Sequence, residues 1–400
     1  MTTMRTSSLA LLLAAGALSC AAASTLLAAC ALNESASPEV PDATVTLPPA
    51  EDAGLVDADA DASCTTDDCE YFPTTCAPDV LCPSGPFDPG SPTMALDWNT
   101  QINVIAGRSA SDVWIAGTLG AVAHFDGTEW TPSDVGTQET QNILWLLDSA
   151  EVLLGAVNSH SRLFTRGLEV DAGTPVSPGG WSRHPTLAGG HLSKLNAAWS
   201  MPGTRSLWVA TPIDLWRLRH QPGSTFEIIP GIPMTVCSSI PCRAMRSIHG
   251  ASEGTVWAVG DLGAVVRITD ADGATPTATP FNTKTWTGLS GVWAASDTDV
   301  WAVGGAGTIL HYTGDPRRWE IVADVPTSDN LNAVWGTSPS DIWAVGDAGV
   351  VLHYDGSRWS RVKVAGVGTR RPNLYTVWSS GAGHVWIGGQ GILLALGETQ

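Results

Sequence analysis

Short apolar runs alternate with turn residues along most of the chain, and the same run returns several times. The stretch LNAVWGTSPSDIWAVGDAGVVLHYDGSRW at 331–359 follows LSGVWAASDTDVWAVGGAGTILHYTGDPRRW at 289–319, and a looser copy lies at 102–130. Each copy contains four segments with the composition of strands, and the Asp-Gly pairs at 126–127 and 355–356 are typical of tight hairpins. No long segment of this region has the 3.6-residue period of a helix, so we expect few helices.

The tryptophans indicate how many copies there are. Seventeen of the 18 tryptophans align at three positions of a unit that occurs seven times. The unit repeats about every 45 residues, which is the period of a four-stranded propeller blade. We therefore predict an all-β, seven-bladed β-propeller in which the equivalent indoles pack between blades. The first position holds Trp145, Trp199, Trp293, Trp335 and Trp378, the second Trp114, Trp208, Trp257, Trp301, Trp343 and Trp386, and the third Trp98, Trp130, Trp181, Trp286, Trp319 and Trp359.

The two ends of the repeat predict how the ring closes. The last unit has no fourth strand, whereas 92–99 has the pattern of a fourth strand with no unit before it. We predict that this segment pairs with the last blade, because closure removes exposed sheet edges. The predicted organisation is a signal peptide at 1–29, a lipidated cysteine, tether and Cys-rich segment at 30–91, and the propeller at 92–400.

The charge of the chain is strongly acidic, with 20 Lys and Arg against 39 Asp and Glu. Fourteen of the acidic residues lie at 31–97, a segment without Lys or Arg, and we predict a disordered acidic spacer at 31–63. Its DADADASCTTDD stretch matches a calcium loop at several Asp positions, but Ala62 stands where the turn needs glycine. The sequence shows no basic patch for nucleic acid, and we expect no metal and no cofactor.

The N-terminus predicts export. Arg5 precedes an apolar run at 9–29, which is the layout of a signal peptide, with a membrane span as the alternative. The run ends in LLAAC, which resembles a bacterial lipobox and makes Cys30 the predicted lipidation site, whereas Cys20 is a poorer match. We expect a monomer that is exported and lipid-anchored in the cell envelope, at the outer membrane, either periplasmic or surface-exposed.

The remaining six cysteines form an even set that an oxidising compartment would pair. The spacing of the first four does not fit zinc knuckles, so we predict two disulfides, with three connectivities open. The CSSIPC stretch predicts a small loop closed by a third disulfide. The predicted disulfide cysteines are Cys64, Cys69, Cys76, Cys82, Cys237 and Cys242.

The body of about 300 residues resembles bacterial exported β-propeller repeat proteins of the sialidase-like (BNR, Asp-box) and WD-type superfamily. The DG-x-x-W turn is similar to a shortened Asp-box, although its Asp and Gly are adjacent rather than one residue apart. Sialidase-like enzymes use an arginine cluster, a tyrosine nucleophile and an acid pair at the central hole. Tyr375 opens the first strand of the last unit and is a candidate binding residue near such a channel, but no partner set for catalysis is recognisable.

Other candidate residues are fewer. His124, His311 and His353 recur before an aromatic residue, and we interpret them as hydrogen-bonding strand residues because blades would hold them too far apart to share a metal ion. Trp216 falls outside the repeat, so it is a candidate ligand contact, with core filling as the alternative. Insertions at 166–180, 219–245 and 270–285 are candidate binding loops or tolerated insertions.

The function that these features favour is a binding or scaffolding module that uses propeller loops at the cell envelope. The partner would be an unknown envelope protein or glycan, with the lipid anchor as the contact to the membrane. The alternative is a carbohydrate-active hydrolase or lyase with its site at the mouth of the central channel. The sequence makes an enzyme the less favoured of the two hypotheses, because no catalytic motif is present.

Overall fold

The computed structural model describes residues 70–87, 96–157, 160–184, 194–222, 225–381 and 383–396. These residues form seven antiparallel sheets of four strands each, and the inner strands of the first and last sheets contact each other. The chain is therefore the all-β, seven-bladed propeller that the repeat predicts. Helix in the described residues is limited to α1 (Met234–Cys237) and to single 3-10 turns at Thr118–Gly120, Asp261–Gly263 and Asp347–Gly349.

The blades follow one another along the chain, and each begins with its inner strand. Blade 1 contains β2 (Ile102–Ser109), β3 (Asp112–Gly117), β4 (Val122–Phe125) and β5 (Trp130–Pro132). Blade 2 contains β6 (Ile143–Leu146), β7 (Glu151–Val157), β8 (His160–Arg166) and β9 (Trp181–Arg183). Blade 3 contains β10 (Ala197–Trp199), β11 (Ser206–Ala210), β12 (Leu215–His220) and β13 (Phe226–Ile232). Blade 4 contains β14 (Met245–Ser252), β15 (Thr255–Gly260), β16 (Val265–Thr269) and β17 (Thr277–Phe281).

The last three blades have the same order. Blade 5 contains β18 (Leu289–Ser296), β19 (Asp299–Gly304), β20 (Ile309–Tyr312) and β21 (Glu320–Ile321). Blade 6 contains β22 (Leu331–Ser338), β23 (Asp341–Gly346), β24 (Val351–Tyr354) and β25 (Trp359–Arg361). Blade 7 contains β26 (Leu374–Gly381), β27 (His384–Gly389), β28 (Ile392–Leu396) and, as its outer strand, β1 (Leu81–Pro83).

Tryptophans hold neighbouring blades together, as the repeat predicts. The second-strand indole of one blade packs edge-on against the indole at the outer strand of the next blade at four of the seven junctions. Edge-on ring pairs of this kind are favoured by the aromatic quadrupole and bury a large apolar area. The four pairs, with their centroid distances, are Trp386–Trp130 at 5.1 Å, Trp114–Trp181 at 6.0 Å, Trp257–Trp319 at 5.5 Å and Trp301–Trp359 at 5.7 Å.

The inner strands pack by a different rule, in which a large ring meets a small residue. The aromatic ring at the first repeat position of one blade packs against the inner strand of the next blade. The residue it contacts there comes directly after that blade's own first repeat position. A Cβ atom at Gly107 would lie only 2.4 Å from the ring of Trp378. Glycine is therefore needed at this close approach. The same arrangement joins Trp199 to Gly250 and Trp293 to Gly336.

The ring is closed by an N-terminal strand, but not by the segment that the sequence indicated. β1 pairs with β28, with Leu81 opposite Leu396 and Pro83 opposite Leu394. The prediction that 92–99 supplies this strand was wrong: residues 96–99 are not in a strand, and 92–95 lie outside the described residues. The outer strand of blade 7 is thus β1, which comes from the predicted Cys-rich segment. Full burial of Leu81 stabilises β1 in this position.

Two tryptophans were assigned to the wrong repeat position. The outer strand of blade 4 is β17, so Trp286 lies five residues beyond its end rather than at its start. Trp98 also lies outside any strand, before β2. Trp286 was misaligned because the outer strand β17 lies within the segment 270–285, which was taken as an insertion.

Candidate binding surface on blade 4

The connection from β17 to β18 presents an exposed tryptophan on an ordered loop. Trp286 is 83% exposed. The loop is tied to the adjacent turn, because the Thr283 hydroxyl donates to the Gly263 carbonyl at 2.8 Å. Within the loop, the Lys284 amide donates to Asn282 Oδ1 at 2.9 Å. An apolar ring this exposed does not stabilise the core, so its position is a candidate for binding.

The adjacent turn adds a second exposed apolar side chain. Leu262 is 70% exposed and occupies the left-handed region, with a φ of 56°. The equivalent residue in blade 6 is Ala348, which has the same backbone conformation at a φ of 53°. The turn therefore tolerates a small residue, and the backbone does not require leucine at position 262.

A disulfide-bonded loop forms the third side of the site. The connection from β13 to β14 contains α1 and the Cys237–Cys242 disulfide, whose Cα atoms are 4.7 Å apart. Both cysteines are buried, whereas Met234 and Val236 of α1 are exposed. Pro241 of this loop, Leu262 and Trp286 line one open cavity of about 650 Å³. The cavity and its lining residues Pro241, Leu262, Pro280, Asn282, Lys284 and Trp286 are called the blade 4 surface below.

The charged groups near this surface are mainly cationic. Lys284 is exposed in the lining, and Arg243 is exposed two residues after Pro241. Asp261 forms an ion pair with Arg246, whose Nε lies 2.5 Å from the Asp261 Oδ1. An apolar surface flanked by cations favours apolar ligands that also carry negative charge.

The structure places the two predicted binding residues away from this surface. Trp216 lies on β12, is only 7% exposed and packs with Trp145 in the core between blades 2 and 3. On the second strand of blade 2, the residue opposite Trp145 is Val152 instead of a tryptophan, and Trp216 supplies aromatic bulk at this junction. Tyr375 is half-buried at the start of inner strand β26, at the position that Asn332 occupies in blade 6.

The equivalent positions on the inner strands carry polar groups that join neighbouring blades. Asn332 donates to the Leu374 carbonyl at 2.9 Å, and Asn196 donates to the Met245 carbonyl at 2.8 Å. Arg246 occupies this position in blade 4 and is paired with Asp261, while Tyr375 lies in blade 7. The arginine and the tyrosine therefore lie on the inner strands of different blades, and the arginine is already paired with a carboxylate of its own blade.

The repeated histidines are hydrogen-bonding strand residues, as the sequence predicted, and the structure shows that their partner is a carboxylate. His124, His311 and His353 each contact the aspartate that opens the second strand, at Nε2–Oδ1 distances of 2.9, 2.8 and 2.8 Å. Each imidazole also packs on the second-position indole, with ring centroids 4.3, 3.8 and 4.4 Å apart. No group of three His, Cys, Asp or Glu side chains in the described part of the chain could hold a metal ion.

Hydrogen-bond partners lower the pKa of two of these aspartates, Asp112 and Asp341. Partial burial acts to raise the pKa of Asp341, but hydrogen bonds from Thr337, His353 and Trp343 outweigh it and keep the pKa below its usual value. In the Asp-Gly turn, Thr128 and the backbone amides lower the pKa of Asp126 to about 2. Each of these shifts is explained by a structural contact, so none of them indicates a catalytic carboxylate.

His249 predicts a measurable dependence of stability on pH. Its ring lies near Trp199 and Trp335, its Nδ1 accepts from the Ala294 amide, and burial lowers its pKa from 6.5 to about 3. The unfolded chain therefore takes up this proton first as the pH falls below about 6.5, which destabilises the fold. We expect the His249 contribution to cost about 1–2 kcal/mol at pH 5 relative to pH 7.

The measurement is the unfolding free energy of wild type and His249→Phe between pH 7.5 and 4.5, obtained with urea. The other titrating groups are common to both chains, so they cancel in the difference. The wild type should lose more stability than the variant on acidification. Parallel pH profiles would show that His249 is protonated equally in the folded and unfolded states.

Of the predicted disulfides, the structure shows two. Cys76 pairs with Cys82, which lies on β1, and Cys237 pairs with Cys242. Cys30, Cys64 and Cys69 lie outside the described residues. The Cys76–Cys82 bond ties the closing strand to the segment before it.

Sequence reasoning missed the residues that form the blade 4 surface. Trp286 was assigned to inter-blade packing, although it stands three residues before the inner strand of blade 5 rather than after an Asp-Gly turn. This position in the sequence could have shown that Trp286 does not belong to the inter-blade set. Leu262 could have been found by comparing GDLG at 260–263 with GDAG at 346–349, where the equivalent residue is alanine.

Comparisons with known proteins show the fold. No family model matches the chain, and no curated protein matches it in sequence. YCF48 bound to D1 peptide is 15% identical with a TM-score of 0.59, over 84% of this chain and 100% of its own. The WD40 propeller domain of Doa1 is 10% identical with a TM-score of 0.55, over 81% of this chain and 97% of its own.

A bacterial neighbour has the same fold. The extracellular domain of a putative one-component system from B. thetaiotaomicron is 11% identical with a TM-score of 0.53. The match covers 75% of this chain and 39% of that one. The similar structures thus include a propeller solved with a peptide and an extracellular bacterial domain. In the described residues, no helix is long and apolar enough to cross a membrane.

Proposed function

We propose that the protein is an exported recognition module that binds a polypeptide partner through the blade 4 surface and is held at a bacterial envelope membrane by lipid on Cys30. The observation that carries the proposal is Trp286, which is 83% exposed on a loop that hydrogen bonds hold in place. A tryptophan in this setting is the typical anchor of a protein interface. Because the loop is already ordered, binding would cost less conformational entropy.

The chemistry of the lining favours a polypeptide over a glycan. Leu262, Pro241 and Pro280 surround the cavity with aliphatic surface, which suits apolar side chains of a partner. Lys284 at the edge would pair with a carboxylate of the same partner. The propeller of YCF48, which has the same fold, is one that was solved with a peptide.

The anchoring part of the proposal rests on the N-terminal sequence. The LLAAC motif supports lipidation at Cys30, and the acidic segment at 31–63 would act as an extended spacer between the membrane and the propeller. Such a spacer would leave the blade 4 surface free to reach partners at the outer membrane, on its periplasmic side or at the cell surface.

One fractionation experiment tests both parts. Epitope-tagged wild type, Cys30→Ala, Trp286→Ala and the control Ile321→Ala, which removes an exposed apolar side chain of β21, are expressed in the source organism. Membrane and soluble fractions are separated, and tagged protein is captured after mild cross-linking. The wild type should be in the membrane fraction together with a discrete polypeptide partner.

The variants should separate the two parts. Cys30→Ala should leave the membrane fraction, while Trp286→Ala should remain there and recover at least tenfold less partner, because an interface anchor contributes about 2 kcal/mol or more. Ile321→Ala should behave as the wild type. Equal recovery of the partner by Trp286→Ala and the wild type would refute the assigned surface, and membrane retention of Cys30→Ala would refute the anchor.

A further inference from the structure

A second cavity lies at blade 7 and shares no lining residue with the blade 4 surface. It has a volume of about 300 Å³ and lies where β1, the turn between β27 and β28, and the connection from β25 to β26 meet. Its walls are mainly apolar, and they contain one cation. Six of its lining residues are Pro83, Phe87, Trp98, Val367, Arg370 and Leu393.

Arg370 is held in this cavity by a tryptophan ring and a backbone carbonyl. Its guanidinium carbon lies 5.8 Å from the ring centroid of Trp98, and its Nη2 donates to the Gln390 carbonyl at 3.3 Å. No carboxylate forms an ion pair with Arg370 among the residues that the structure describes. A guanidinium has five N–H donors, and the hydrogen bond described between Arg370 and Gln390 uses one of them.

A glycine preserves this arrangement. Gly391 lies at a φ of 61°, and a Cβ atom there would be 2.4 Å from the Trp98 carbonyl oxygen and 3.3 Å from Arg370 Nη2. Any side chain at this position would therefore push the Trp98 backbone or the guanidinium away. Trp98 itself is 52% exposed, so the indole has a face that a ligand can cover.

We propose that this cavity binds a carboxylate that is joined directly to an apolar group. Arg370 would hold the carboxylate through paired N–H donors, and the apolar group would lie against Trp98, Val367 and Leu393. The volume suits one branched side chain or a short aliphatic acid. Two sources share this chemistry, namely the C-terminal residue of a peptide and a free aliphatic acid.

This site does not depend on the function proposed for the blade 4 surface. The two surfaces share no lining residue, so either one can be wrong while the other stands. Trp98 and Trp286 each precede an inner strand, β2 and β18, which places both on the same face of the propeller.

The test measures saturation transfer by NMR from the full-length chain to three probes: N-acetyl-leucine, N-acetyl-leucinamide and hexanoate. The variants are Arg370→Gln and the control Arg371→Gln, whose guanidinium lies 3.7 Å from the ring centroid of Phe72 and outside the cavity lining. Wild type and Arg371→Gln should bind N-acetyl-leucine. The amide probe, and Arg370→Gln with the acid, should bind at least tenfold more weakly.

The probes also distinguish the two sources. Binding of N-acetyl-leucine without hexanoate assigns the site to a peptide C-terminus, and binding of both shows that a free aliphatic acid suffices; either result supports the proposal. Equal binding of acid and amide, undiminished binding by Arg370→Gln, or no binding of either acid would overturn it. The amide comparison uses the wild type alone, so it holds even if a variant folds poorly.

Discussion

Trp257→Ala is expected to destabilise the propeller by about 3–5 kcal/mol, the cost of truncating a large aromatic side chain in a packed core. Trp257 is fully buried on β15 and contacts the rings of Phe281, Tyr312 and Trp319. Two of these rings belong to blade 5, so the substitution opens a cavity at the junction of two blades. Unfolding in urea, followed by tryptophan fluorescence, measures the change.

Trp286→Ala is the matched control, because it removes the same side chain from a position that is 83% exposed. Its unfolding free energy should stay within about 0.5 kcal/mol of the wild type. Comparing the unfolding free energies of the two variants distinguishes a tryptophan that stabilises the fold from one that is exposed for binding. A stability loss for Trp286→Ala as large as that for Trp257→Ala would mean that Trp286 packs against the propeller.

Loss of the closing strand should have a comparable effect. A chain that begins at residue 63 keeps β1, whereas a chain that begins at residue 88 lacks it and leaves blade 7 with three strands. Val80 and Leu81 are both buried, and exposing two aliphatic side chains of this size costs about 3–6 kcal/mol. Thermal unfolding of the two purified chains under the same conditions gives the comparison.

The disulfide provides a graded control for closure. Replacing Cys76 and Cys82 by serine keeps β1 but releases a short closed loop, for which chain entropy predicts a loss of about 2 kcal/mol. We therefore expect the serine variant to lie between the chains that begin at 63 and 88. If the chain that begins at residue 88 were as stable as the longer one, β1 would not be what closes the ring.

The propeller could be predicted from sequence because its packing is periodic. Buried indoles such as Trp301 and Trp359 recur at the same positions of the repeat. The copies therefore all give evidence for the same blade structure. The hydrogen-bonding role of His124 and its equivalents was predicted for the same reason, whereas their partner, the aspartate twelve residues earlier, was not identified from the sequence. Repetition gave several observations of each contact.

Features that occur once could not be predicted in this way. The closing strand is only three residues long, and its place is decided by pairing with β28, more than 300 residues further along the chain. Residues 92–99 matched the pattern of an outer strand equally well in sequence. Trp286 was misassigned because the exposure of its side chain depends on where β17 ends, and the apolar pattern does not show this.

The claim that the blade 4 surface is the recognition surface is tested most directly by photo-crosslinking in intact cells. The photoreactive residue p-benzoylphenylalanine is placed at position 286 and, as a control, at the exposed position 321 on β21. After irradiation, position 286 should give a covalent adduct with one discrete polypeptide, and position 321 should give none. No adduct at position 286, or the same adduct from both positions, would contradict the account.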